Sequence, residues 1–252
     1  MGGILKLAAT AAVLSLSMAA PAASASTRVA AASVPTCGSG GPYYVNGKCI
    51  SANWSGLLAI GNGSYTVVQA YWKQPSTPTL FAHLYEATSI WVGLGGGRQG
   101  EPAPVQVGTI MTTGFFGLTP SLKPDYSAFY ETPSTGGAVG ISGFNVHPGD
   151  TMATLVDYVH GAFQIYLTDV TTGQRWSSGA IHGNFAYDTA EAIVEAPAYD
   201  NGKRFYDLAP FGSVKFYNLG IGGVYALQMV RGNTTLASTS LPSVVITYHH
   251  SS

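Results

Sequence analysis

Helical periodicity is almost absent from this chain, and one pattern recurs in its place. Runs of five to nine residues rich in Val, Ile, Tyr, Phe and Thr are bounded by Gly, Pro, Asn or Ser. They include Ser64 to Trp72, Ser89 to Leu94, Ser127 to Thr132, Thr151 to Tyr158, Phe163 to Val170, Ala190 to Ala196, Ser213 to Leu219 and Ser243 to Tyr248. Turn signals separate them at Gly61-Asn62-Gly63, Pro148-Gly149-Asp150, Thr172-Gly173-Gln174 and Asn201-Gly202. A chain built this way hides apolar surface by pairing strands. The prediction is therefore an all-β antiparallel sandwich or jelly roll. With 32 glycines the strands are expected to bend strongly, which makes the two sheets curved. No internal repeat of fixed period is present.

The first residues read as an export signal. Lys6 supplies a basic start, Leu7 to Ala20 an apolar run, and Ala23-Ser24-Ala25 a small-residue cleavage site. The run is too short and too rich in small residues to span a bilayer. The expected organisation is a signal peptide over residues 1–25, an N-terminal segment over 26–50 that includes a removable propeptide in part, and one β-sandwich domain over 51–252. The expected product is secreted and extracellular. Cys37 and Cys49 flank Tyr43-Tyr44-Val45-Asn46-Gly47-Lys48, where Asn-Gly between β-formers signals a hairpin. In an exported protein a disulfide across that hairpin is the default, contributing about 3 kcal/mol in the chain-entropy model.

Charge narrows the function classes. Only 9% of residues are charged, with 12 acidic and 11 basic side chains and a formal net charge of −1. Neither nucleic acid nor an anionic membrane is an expected partner. Acid unfolds proteins largely by protonating paired carboxylates, so a chain with few of them is permitted to tolerate acid.

Missing motifs prune the chemistry further. There is no Gly-x-Ser-x-Gly elbow, no Asp-Thr-Gly or Asp-Ser-Gly, and no His-Glu-x-x-His. The six histidines are scattered, and no metal or other cofactor is expected. What remains are two polar residues in apolar strand segments. Gln106 lies in Pro104-Val105-Gln106-Val107-Gly108-Thr109, and Glu195 closes Thr189-Ala190-Glu191-Ala192-Ile193-Val194-Glu195. On a strand Glu191, Ile193 and Glu195 share a face, and the two glutamates are about 13 Å apart, too far for a carboxylate dyad. A close partner for Glu195 is expected on the neighbouring strand, about 4.8 Å away, and Gln106 is the candidate.

The residues around this pair resemble a known family. Asn53-Trp54-Ser55-Gly56, Trp91-Val92-Gly93, Gln106-Val107-Gly108, Tyr126-Ser127-Ala128-Phe129-Tyr130-Glu131, Pro148-Gly149-Asp150, Leu167 to Gln174 and Thr189 to Glu195 occur in the order seen in the glutamic peptidases, or eqolisins. The resemblance covers roughly residues 51 to 248 and implies a concanavalin-like jelly roll with Gln106 and Glu195 as catalytic residues. It also suggests Trp54 and Trp91 at the substrate groove, although packing roles serve them equally well. Phe129 and Glu131 share a strand face and are weaker groove candidates, with Glu131 reading otherwise as part of a solvated face. Glu191 reads either as a supporting carboxylate or as an exposed one. Phe129 and Ser127 stand where the family usually has Trp and Asp, and Leu94-Gly95-Gly96-Gly97 lacks its acidic residue.

The implied activity is endopeptidase action on polypeptides at acidic pH, with water activated by a Gln/Glu dyad and no covalent intermediate, in a monomer. Two other readings stand beside it. A lectin-like domain would use the 15 Tyr and 4 Trp to bind sugars. An inactive member of the peptidase family would keep the fold without the chemistry.

Overall fold

A computed structural model describes residues 43–45, 48–61, 65–78, 85–98, 102–116, 119–183, 187–199, 203–221, 224–231 and 233–249, all within the compact unit Pro35–Ser252. No helix occurs among the described residues. The strands in chain order are β1 (Tyr43–Val45), β2 (Lys48–Ser51), β3 (Trp54–Ile60), β4 (Val67–Lys73), β5 (Glu86–Leu94), β6 (Val105–Phe116), β7 (Thr119–Glu131), β8 (Val139–Asn145), β9 (Thr151–Val159) and β10 (Ala162–Asp169). They continue with β11 (Arg175–His182), β12 (Thr189–Glu195), β13 (Ala198–Tyr199), β14 (Arg204–Phe205), β15 (Asp207–Leu208), β16 (Ser213–Lys215), β17 (Val224–Arg231), β18 (Thr234–Ser240) and β19 (Val245–Tyr248).

Two sheets carry the architecture. The larger runs β16-β19-β18-β17-β3-β12-β5-β6-β7-β8, with β1, β2 and β15 attached, and the smaller runs β11-β10-β9-β4. Pairing is antiparallel except at β2–β17 and β5–β15. The sequence pattern explains how the sheets stack. Ile90, Val92, Leu94, Val105, Val107, Ala190, Ala192 and Val194 take alternate positions on β5, β6 and β12. They pack with Val68, Ala70, Trp72, Met152, Val156, Phe163, Ile165 and Leu167 of the smaller sheet. Each large side chain so buried contributes about 1.5–3 kcal/mol. The other positions of β5, β6 and β12 face away from that core. There a second, smaller apolar cluster forms from Leu58, Trp91, Phe129, Ile193, Leu227 and Cys49.

The all-β antiparallel sandwich expected from the strand pattern is thus present. Val45 pairs with Lys48, the two-residue hairpin that Asn46-Gly47 predicts. Gly149 (φ 93°) and Gly173 (φ 79°) occupy the left-handed region in the turns predicted at those glycines. Two expectations need correction. The Ser127–Thr132 run belongs to a much longer strand, because β6 and β7 stay paired past a register shift at Gly114, whose φ of 141° absorbs the irregularity. The Ser213–Leu219 run stops as a strand at Lys215, with Tyr217 joined to Tyr71 by an isolated bridge rather than a ladder and Asn218 at φ 53°. The signal peptide, the segment up to Val34, Cys37 and the Asn201-Gly202 turn lie outside the described residues, so the Cys37–Cys49 pairing does too.

Candidate active site

Register alone assigns each candidate residue to a face. Directly paired residues of an antiparallel ladder point the same way. One row across the large sheet reads Trp54, Glu195, Ser89, Ile110 and Ser127 on β3, β12, β5, β6 and β7. The next reads Gly56, Ile193, Trp91, Gly108 and Phe129, and the third Leu58, Glu191, Gly93, Gln106 and Glu131. All three rows lie on the face turned away from the sandwich core. Glu195 and Gln106 therefore share one side of the sheet.

They are not on adjoining strands, however. The neighbours of β12 are β3 and β5, so β5 lies between Glu195 and Gln106. Two strand spacings and four residues of stagger put their backbones about 16 Å apart in a flat sheet. Which strands become neighbours is a long-range matter that the local pattern does not encode. Both side chains still line one cavity of about 680 Å³, together with Trp54, Ser89, Ile110, Phe129, Glu131 and Tyr199. The loop between β7 and β8 contributes Gly136, Gly137, Ala138 and Gly140 to its rim.

Glu195 is half-buried and held by donors. Asn53 Nδ2 donates to Oε1 at 2.9 Å, while Trp91 Nε1 donates to Oε2 at 2.8 Å and Ser89 Oγ at 3.4 Å. Loss of water around the carboxyl nevertheless dominates, pushing its pKa up to about 7. The nearby indole N–H groups of Trp54 and Trp91 pull the other way, and the charge of Glu131 adds to the rise. Trp54 Nε1 is buried and makes no hydrogen bond, so its influence on Glu195 comes from proximity alone.

The Trp91 ring is seated by two glycines. A Cβ on Gly93 would lie 3.0 Å from its ring, and one on Gly108 would lie 2.6 Å from Trp91 Cβ and 2.0 Å from the Ile90 carbonyl. Any larger residue at Gly108 would push the ring, and with it the Nε1 donor, off Glu195. Trp54 packs edge-on against Trp91, with ring centroids 5.1 Å apart at 79°. Of the two tryptophans, Trp54 lines the cavity, whereas Trp91 is fully buried and reaches the site through its N–H.

Gln106 is 6% exposed and donates from Nε2 to Glu131 Oε2 at 2.7 Å, while its Oε1 is buried without a partner. Burial raises the Glu131 pKa above its ordinary value, and the Gln106 hydrogen bond partly offsets that. Glu131 thus borders the site rather than a solvated face. Glu191 is fully buried and does not line the cavity, which removes the exposed alternative for it. Sequence reasoning did not single out Asn53, Ser89 or Tyr199; only Asn53 carried a signal, beside Trp54 in the Asn-Trp motif. Among the described residues no group of three His, Cys, Asp or Glu is placed to hold a metal ion, and no helix is long and apolar enough to cross a membrane.

Comparison with known proteins bears on the family and the fold. The profile described as "Peptidase A4 family" matches residues 52–245. Among solved structures, scytalido-glutamic peptidase with a transition-state analogue inhibitor superposes with a TM-score of 0.64 at 22% identity, over 79% of this chain and 99% of that one. SCP-B, a member of the eqolisin family of peptidases in complex with the tripeptide Ala-Ile-His, gives 0.61 at 21% over the same shares. Aspergilloglutamic peptidase from Aspergillus niger gives 0.52 at 25%, over 65% of this chain and 99% of that one. No curated protein sequence matches the chain significantly.

Proposed function

The chain belongs to the peptidase A4 family and is a glutamic-type peptidase, and from that premise we propose that it is a secreted endopeptidase working from mildly acidic to neutral pH through Glu195 and Gln106. One observation carries the reading: a carboxyl with a pKa near 7 and a buried carboxamide open onto the same cavity from the same face of the sheet. Family membership favours this over the lectin-like reading.

The chemistry follows from the donors. Ionised Glu195 takes a proton from a water in the cavity as that water attacks the peptide carbonyl. The Gln106 amide has two N–H groups and spends one on Glu131. The second is free for the oxyanion of the tetrahedral intermediate, where one such donor contributes roughly 2.7–4 kcal/mol. Glu195, now a carboxylic acid, returns the proton to the leaving amine. A group titrating near pH 7 takes and gives a proton with similar ease, which suits both steps. No covalent intermediate forms.

The raised Glu195 pKa also moves the expected working range. A carboxyl of ordinary pKa near 4.5 would be ionised from mildly acid pH upward, whereas Glu195 is still largely protonated there. Activity should therefore rise as pH climbs toward 7. The proposal includes export with cleavage after Ala25, a Cys37–Cys49 disulfide and action as a monomer; N-terminal sequencing of the secreted form checks the first.

Digestion of casein across pH 3 to 8 tests the reading, with Glu195→Gln and Gln106→Ala as controls that remain folded. Loss of proteolysis in both, with insensitivity to pepstatin and to chelators, is the expected result. Near-normal proteolysis in either variant ends the proposal, and a folded wild-type chain without activity points to the inactive homologue.

A further inference from the structure

We propose that Glu131 is a positioning residue for the reaction, setting which end of the Gln106 carboxamide faces the cavity. The inference rests on the peptidase reading above and adds a residue to it.

A carboxamide has two ends of nearly equal size and opposite hydrogen-bonding character. Left alone on a strand, the terminal torsion of a glutamine is broad and roughly two-fold, so the N–H and C=O ends interchange easily. In this protein the choice is made by register. Gln106 on β6 is the direct cross-strand partner of Glu131 on β7, and both point to the same face. Glu131 Oε2 accepts from Gln106 Nε2 at 2.7 Å, the short distance expected of a bond to a charged acceptor. An ionised carboxylate accepts only, so Gln106 must present nitrogen to it. The remaining N–H and the partnerless Oε1 are what the amide has left to offer substrate and water. Gly93, the β5 partner of Gln106, has no side chain to hold the amide from the other flank. Among the described residues Glu131 is the one hydrogen-bond partner of the Gln106 side chain.

Glu131 does not need to touch the reacting atoms for this role. Removing it frees the amide to rotate and to settle with oxygen toward the oxyanion, which repels instead of stabilising. Misplacing a catalytic group by about 1 Å is enough to cost on the order of 100-fold in rate.

The test is a double-mutant cycle on casein or a quenched fluorescent peptide, with folding of every variant checked by circular dichroism and thermal unfolding. Glu131→Ala is expected to lower kcat by about 10- to 100-fold with little change in KM. Glu131→Gln should recover only part of that loss, because its carbonyl oxygen accepts from Nε2 but its own amide donates to Oε1 as readily, so it does not fix the orientation. In the Gln106→Ala background, Glu131→Ala should change kcat less than two-fold, since the group it positions is gone. A full additional loss there would overturn the proposal and assign Glu131 its own contact with substrate. A rise in KM alone would likewise overturn it. If Gln106→Ala itself kept wild-type activity, the Gln106 role would fail first, so the two failures are distinguishable.

Discussion

Glu195 makes a stability prediction that runs opposite to its catalytic value. Its carboxyl titrates near pH 7 in the folded protein and at an ordinary value near 4.5 when exposed. Because the folded pKa is the higher one, the folded state binds the proton more tightly. The corresponding stability is fully present below pH 4.5 and is lost as pH rises through about 7. At about 1.36 kcal/mol for each pH unit between the two values, the loss is roughly 3 kcal/mol. Water reaching the half-buried carboxyl through the cavity reduces this, to about 1–3 kcal/mol. Glu195→Gln removes the titration.

The replacement amide also alters the bonds to Asn53, Ser89 and Trp91, but that offset does not vary with pH. The quantity to measure is therefore the change, between pH 4 and pH 8, in the stability difference between variant and parent. Both should carry Gln106→Ala so that neither digests itself. Urea or thermal unfolding should show the variant gaining about 1–3 kcal/mol on its parent over that range, or several degrees in Tm for a domain of this size. Ionisable groups other than Glu131, whose charge acts on Glu195, are common to the pair and cancel. Parallel curves would show that Glu195 is not desolvated, and a variant losing ground as pH rises would reverse the sign; either result refutes the reasoning.

Other perturbations read other parts of the structure. Gly108→Ala places a methyl against the Ile90 carbonyl and Trp91 Cβ, so it should destabilise by several kcal/mol and be seen as a large fall in Tm or in soluble yield. Trp91→Phe removes the 2.8 Å donor that favours the charged form of Glu195, so the limb of kcat/KM rising with pH should move to higher pH, as a pH–rate profile would reveal. If Cys37 and Cys49 are bridged in the secreted protein, its thiols should not react with a maleimide unless reduced, and reduction should lower stability by about 3 kcal/mol in a denaturant titration.

Much of the scaffold was legible in the amino-acid order because it depends on local rules. Alternation over Thr189–Glu195 sends Ala190, Ala192 and Val194 to the sandwich core and Glu191, Ile193 and Glu195 to the opposite face. Asn46-Gly47 predicts a hairpin, since both residue types readily take positive φ, and Val45 pairs with Lys48 on either side of it. Gln106 and Glu195 stood out because a polar side chain in an apolar strand must meet water or a partner.

Distances between such residues were a different matter. Strand order depends on pairings between segments far apart in sequence, such as β12 between β3 and β5, and no local periodicity carries that information. The sequence by itself therefore determined that this chain forms sheets, which side chains share a face, and which residues are chemically exceptional. Only the tertiary structure decided that β5 separates Glu195 from Gln106, that Trp91 reaches the carboxyl over two glycines, and that Glu131 holds the amide. Those contacts arise when long-range pairing brings four strands, β12, β5, β6 and β7, into one register, and they exist in no single segment.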